Sequence, residues 1–177
     1  MRSWLRRVPA PIDVLSLALR TLGDVSTPKN RTCPPADRPA ADEALGEQNH
    51  NPAGMSLWAL WREDLDTHER DCLNPGFWAI AVHRFGNWRM SVRPRLLRAP
   101  LSLLYRALYR VVEWTCGISL AYTVIVGRRV RIWHHGGMIL GALRIGDDVI
   151  IRQNVTMGVA RRGEPRWRKP VIADRCD

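Results

Sequence analysis

Two adjacent histidines, His134 and His135, are followed at once by two glycines, Gly136 and Gly137. A neutral imidazole titrates near physiological pH and can take a proton from a hydroxyl that would otherwise be a poor nucleophile. Glycines beside it let substrate and backbone approach closely. Against this stands a plain alternative, two solvated histidines at a tolerated turn. A second candidate region is Gly158–Lys169, where Arg161, Arg162, Arg166, Arg168 and Lys169 form the densest positive patch of the chain. Such a patch suits an anionic group such as a phosphorylated ligand, or simply solvent. The four cysteines, Cys33, Cys72, Cys116 and Cys176, show no CxxC or Cys/His metal spacing and read as reduced thiols, so no metal is expected.

The elements that must position these groups follow from a six-residue period. Ile139, Ile145, Ile151 and Met157 stand six apart, and Leu143, Val149 and Val155 make a second column. Upstream, Leu120, Val126 and Ile132 repeat at six, as do Val124 and Val130. Neither a helix at 3.6 residues nor a strand at 2.0 has this period. A solenoid of short strands that turns a corner every six residues does. The step from Ile132 to Ile139 is seven, so one extra residue enters within Trp133–Met138, at the histidines. Insertions of this kind re-aim side chains.

Three domain segments are expected. Residues 1–54 contain a stretch rich in Pro, Ala and polar residues with no apolar period, read as disordered or as an extension ahead of a true start at Met55. Residues 55–118 read as helical. Leu57, Leu60, Trp61 and Leu65 mark a first helix; Phe77, Ile80, Ala81, Arg84, Phe85 and Trp88 a second; and a third, basic and amphipathic, runs from about Leu101 to Cys116 after Pro94 and Pro100. Residues 119–177 form the solenoid, about three coils, with no terminal cap where the chain stops. The expected fold class is therefore α+β, helices followed by an incomplete parallel β-helix.

The chain has 177 residues and a net charge of +10, but 25 of its 27 basic residues are Arg and they are spread throughout. No recognisable nucleic-acid module accompanies them, so nucleic acid is not an expected partner. No stretch is long enough for a transmembrane segment, and the N-terminus is a poor signal peptide. The expected location is cytoplasmic.

The motifs resemble those of the serine O-acetyltransferases. Gly76-Phe77-x-Ala79 with Arg84 and Trp88 is similar to that family's GFxAxxxxRxxxW pattern. Ile145-Gly146-Asp147-Asp148-Val149-x-Ile151-x-Gln153-x-Val155-Thr156-Met157-Gly158 is similar to its IGdxvxIxqxVTxG. His135-Gly136-Gly137-Met138-Ile139 is a looser match to its HxxGxVxG turn. The resemblance implies a left-handed β-helix, truncated at its C-terminus, and a homotrimer or dimer of trimers. It also implies acetyl-CoA as co-substrate and a small hydroxyl acceptor, by default L-serine in cysteine biosynthesis. His135 would be the general base, and Asp71, His134 and Arg168 would bind the substrate. No residue is assigned to the cofactor. Three departures stand out: His134 where the family has Asp, Leu120 where many members carry an orienting aspartate, and Lys169 in place of a second histidine. They leave two alternatives open, an acetyltransferase for a sugar hydroxyl in polysaccharide biosynthesis and an inactive truncated remnant.

Overall fold

Helix α1, Leu57–Thr67, starts where the Ser56 hydroxyl accepts the Ala59 N–H at 3.2 Å. Helix α2, Pro75–Trp88, has Asn74 as its cap and Pro75 at its first position, where a missing N–H costs nothing. A 3₁₀ turn, Arg89–Ser91, leads toward α3, Arg95–Cys116. This third helix begins six residues earlier than the sequence suggests and runs through Pro100. Proline is tolerated there because it lies in the second turn, where one missing bond to Leu96 leaves the rest of the ladder intact. The computed structural model describes residues 48–93, 95–159 and 168–177, all within one unit, Cys33–Asp177. Most of the expected disordered segment, residues 1–47, and most of the arginine-rich loop lie outside the described residues. Ahead of Met55, the His50 N–H donates to Asn87 Oδ1 at 3.0 Å and Asn51 Nδ2 to the Arg84 carbonyl at 2.9 Å. Residues 49–51 are thus fastened to α2.

Eight short strands follow among the described residues: β1 Ile118–Ser119, β2 Ile125–Val126, β3 Arg131–Trp133, β4 Met138–Leu140, β5 Arg144–Ile145, β6 Ile150–Arg152, β7 Thr156–Met157 and β8 Val171–Ile172. They pair in parallel as β1-β4-β7, β2-β5-β8 and β3-β6. Every third strand stacks, so the chain winds around three faces. This is a parallel β-helix, the expected fold class.

The pairing moves one column. Ser119 lies opposite Ile139 and Leu140 opposite Met157, which places Leu120 above Leu140. Leu140 is 1% exposed and Ile139 is 54% exposed. Leu140, not Ile139, therefore holds the inward place. Eight residues separate Ile132 from Leu140 and five separate Leu140 from Ile145. The net insertion is one residue, as counted from sequence, but it consists of two added at the histidine turn and one removed at the next corner. Gly141 makes the short corner possible, since a Cβ there would lie 2.7 Å from the Met157 carbonyl oxygen. The other two faces stack Val126, Ile145 and Ile172, and Ile132 over Ile151.

Corners take left-handed backbone at non-glycine residues. Arg129, Asp148 and Arg175, with φ of 52°, 55° and 57°, occupy one corner in successive coils. There Arg129 grips Asp148 through Nε–Oδ1 and Nη2–Oδ2 contacts of 2.5 and 2.7 Å. That exposed pair holds the Asp148 carboxyl below its usual range, mainly by hydrogen bonding from Arg129.

The helices are bolted to the first coil by buried polar groups. Arg84, fully buried, donates from Nε to Asp64 Oδ2 at 3.0 Å, from Nη1 to the Val126 carbonyl at 2.8 Å and from Nη2 to the Gly127 carbonyl at 2.5 Å. His83 donates from Nε2 to the Val124 carbonyl at 2.9 Å; complete burial pushes its pKa down to about 3. His68 donates from Nδ1 to the Asp64 carbonyl at 2.7 Å and accepts the Ile132 N–H at Nε2, 3.2 Å. Burial likewise lowers its pKa and keeps it neutral. Arg89 lies between Tyr105 and Tyr122, 4.6 and 4.3 Å from the ring centres. Cys72 and Cys116 are free thiols, whereas Cys176 is disulfide-bonded, against the expectation of four reduced cysteines.

Candidate functional site

The lengthened turn between β3 and β4 carries the histidines. His134 has φ +57°, Gly136 +112° and Gly137 +63°, a backbone that a regular corner does not need. The turn is pinned on both sides. Met138 donates its N–H to the Gly117 carbonyl at 2.9 Å, where α3 ends, and Asn154, at the same corner one coil on, donates its N–H to the Gly136 carbonyl at 3.1 Å.

Trp133 lies just ahead of the histidines. Its ring has the Arg131 and Arg152 guanidiniums 5.1 and 5.2 Å from its centre. His134 stacks on it at 5.3 Å with 16° between planes. Trp133, His134 and His135 are all exposed. Among the described residues none hydrogen-bonds to the His135 ring or stacks on it. Of the two imidazoles, His134 is therefore the one held by a neighbouring ring. Trp133 was not singled out from sequence, although a bulky aromatic directly ahead of paired histidines, with Arg two residues before it on a strand, was there to be read.

Asp71 lies in the turn between α1 and α2. Its carboxylate accepts the Leu73 N–H at 2.9 Å, so it serves its own turn. That turn does run along β3, through His68 to Ile132 and through an ion pair of Glu69 with Arg131. Arg168 is exposed, two residues ahead of Pro170, whose carbonyl accepts the Leu143 N–H at 2.8 Å. That anchor belongs to the corner between the first and second faces. The histidines occupy the corner between the third face and the first. Leu120 is 3% exposed and points into the β-helix with Leu140; a carboxylate in its place would be buried in the apolar column. Among the described residues no group of His, Cys, Asp or Glu could hold a metal ion, and no helix is long and apolar enough to cross a membrane.

The structure thus joins helices to a parallel β-helix and sets two histidines on a lengthened corner. Comparison with known proteins adds the following. The chain is 30% identical over 102 residues to a serine acetyltransferase of Mycobacterium tuberculosis, covering 57% of this chain and 41% of that one. It is 33% identical over 88 residues to that of Staphylococcus xylosus (49% and 40%), and 26% identical over 123 residues to that of Bacillus pumilus (67% and 56%). A solved serine acetyltransferase of Vibrio cholerae is similar with a TM-score of 0.49 and 18% identity, over 73% of this chain and 58% of that one. No family model matches. Over these segments the chain is similar in sequence to serine acetyltransferases. It spans about half the length of the curated relatives it matches.

Proposed function

We propose that the protein belongs to an acetyl-CoA-dependent O-acetyltransferase, with L-serine as the first acceptor to test. What carries this reading is the histidine pair on a two-residue insertion in a β-helix corner, in a chain whose relatives are named serine acetyltransferases. The reaction is a direct transfer. A neutral histidine takes the acceptor's hydroxyl proton as its oxygen attacks the thioester carbonyl, and the C–S bond breaks to release CoA.

Of the two histidines, His134 is the better base. Counted from His134, the family pattern HxxGxVxG meets Gly137, Ile139 and Gly141 at its third, fifth and seventh following positions. Counted from His135, it meets Met138, Leu140 and Ala142. The register and the Trp133 stack agree, so the role first given to His135 passes to its neighbour. The residue in place of the family's aspartate is then Trp133. Arg168, on another corner, would approach the histidine turn of a neighbouring subunit in a homotrimer and there pair with a carboxylate or phosphate.

A second acceptor class is favoured by one observation. Trp133, 41% exposed, stands where the family's pattern has an aspartate. Loss of that carboxylate removes a partner for the ammonium group of a small amino acid. Release of free CoA with L-serine and with a panel of nucleotide sugars separates the two. In the active reaction His134→Ala should lower turnover by about 10² to 10⁴, and His135→Ala by less than about tenfold. The reverse order would return the role to His135. No CoA release with any acceptor would favour the inactive-remnant reading.

A further inference from the structure

Helix α3 covers the first coil with one side only. Tyr105 and Val112 are its buried residues, with Leu101, Leu108 and Tyr109 partly covered. The opposite side is apolar too. Leu96, Leu97, Leu103, Leu104, Val111 and Trp114 are 88, 61, 71, 48, 53 and 79% exposed. At 100° per residue, Leu96, Leu103 and Trp114 lie diametrically opposite Tyr105, and Leu97, Leu104 and Val111 widen the stripe to one side. Arg95, Arg106 and Arg110 flank its other side. The helix carries four arginines and one acidic residue, Glu113, which is taken up by Arg110 at 2.5 Å.

A second copy and a membrane surface could each cover such a stripe. A second copy would bring another arginine-rich helix against this one, with no exposed carboxylates on α3 to offset the repulsion. An anionic bilayer surface matches both properties at once: acyl chains accept the leucines and Trp114, and anionic headgroups accept the arginines. The bilayer is therefore favoured. We propose that α3 is an interfacial helix that holds this protein on an anionic membrane surface, lying in the plane of the interface with Leu96, Leu103 and Trp114 inserted.

Helix α3 ends at Cys116, and the next residue, Gly117, holds the histidine turn through its bond to Met138. A membrane-bound α3 would thus place that turn near the surface.

The test is co-sedimentation of the full chain with vesicles, one set of phosphatidylcholine alone and one containing about a third phosphatidylglycerol. Wild type should partition to the anionic vesicles at least about tenfold better than to the neutral ones, and raising the salt should weaken binding. Leu103→Glu/Trp114→Glu should lose at least about tenfold in partitioning. Both residues are exposed, so folding should be preserved, which circular dichroism checks. Arg95→Glu/Arg106→Glu should abolish the preference for anionic lipid. Absence of vesicle binding, or equal binding by wild type and Leu103→Glu/Trp114→Glu, would overturn the proposal. A self-association in ultracentrifugation that Leu103→Glu/Trp114→Glu dissolves, with no lipid binding, would overturn it in favour of a second copy.

Discussion

Removing Asp64 should damage the helical part severely, and the damage should differ in pH dependence from that of removing its partner. Arg84 and Asp64 are 0 and 1% exposed, and their contacts tie α1, α2 and the end of β2 together. Asp64→Ala leaves a guanidinium in the core with two carbonyl dipoles and no countercharge. Breaking a buried pair in this way costs about 3–5 kcal/mol. Arg84→Met leaves the opposite orphan, a carboxylate that can escape its penalty by protonation. Burial already holds the Asp64 carboxyl above its ordinary 3.8, with Arg84 opposing the rise. Without Arg84 it moves higher. A group whose folded pKa is raised gives its full contribution below the unfolded value and loses it as pH climbs through the folded value. The Arg84→Met penalty should therefore be small near pH 4 and grow toward neutrality, by at most about 1.4 kcal/mol per pH unit. The Asp64→Ala penalty should stay level, since guanidinium does not titrate in this range. Urea denaturation of both variants and wild type, followed by far-UV circular dichroism at about pH 5 and 7, reads this directly, with effects common to all three proteins cancelling. An Arg84→Met penalty equal at both pH values, or an Asp64→Ala penalty within about 1 kcal/mol, would refute the reasoning.

Further outcomes follow from other groups. His83, with a pKa pushed down to about 3, binds fewer protons when folded than when unfolded. It should cost the wild type stability as pH falls from about 6.5 toward 3, and ring-proton NMR should show it neutral at pH 5; a midpoint near 6.5 would contradict its burial. Ile139→Asp should fold normally and Leu140→Asp should not, because only Leu140 points inward; expression with thermal melting decides, and the opposite result would restore the uniform six-residue column.

Much of this molecule is legible in one dimension. Hexad periodicity is local, because each inward residue needs only its own coil to define which way it points. Val126, Ile132, Ile145 and Ile151 were therefore placed correctly from spacing alone, and the one-residue slip at the histidines was visible as a count. Helices α1 and α2 likewise announce themselves through the helical spacing of Leu57, Leu60, Trp61 and Leu65 and of Phe77, Ile80, Ala81, Phe85 and Trp88.

Where strands pair is a different matter. A single extra residue between Ile132 and Ile145 can be absorbed as one insertion or as two additions and a deletion, and both give the same sequence. The choice fell to packing: Gly141 permits a five-residue corner against Met157, and the column then prefers Leu140 over Ile139. The same decision separates His134 from His135, which differ in sequence by one position but in structure by a left-handed backbone and a stack on Trp133. Arg84 read as one residue on an amphipathic face. Only the fold reveals that it is buried, because its partners Asp64, Val126 and Gly127 come from 20 to 43 residues away in the chain. Long-range electrostatic pairing and corner register depend on which segments meet in space. Apolar period and helix capping depend only on neighbours, and those the chain carries on its face.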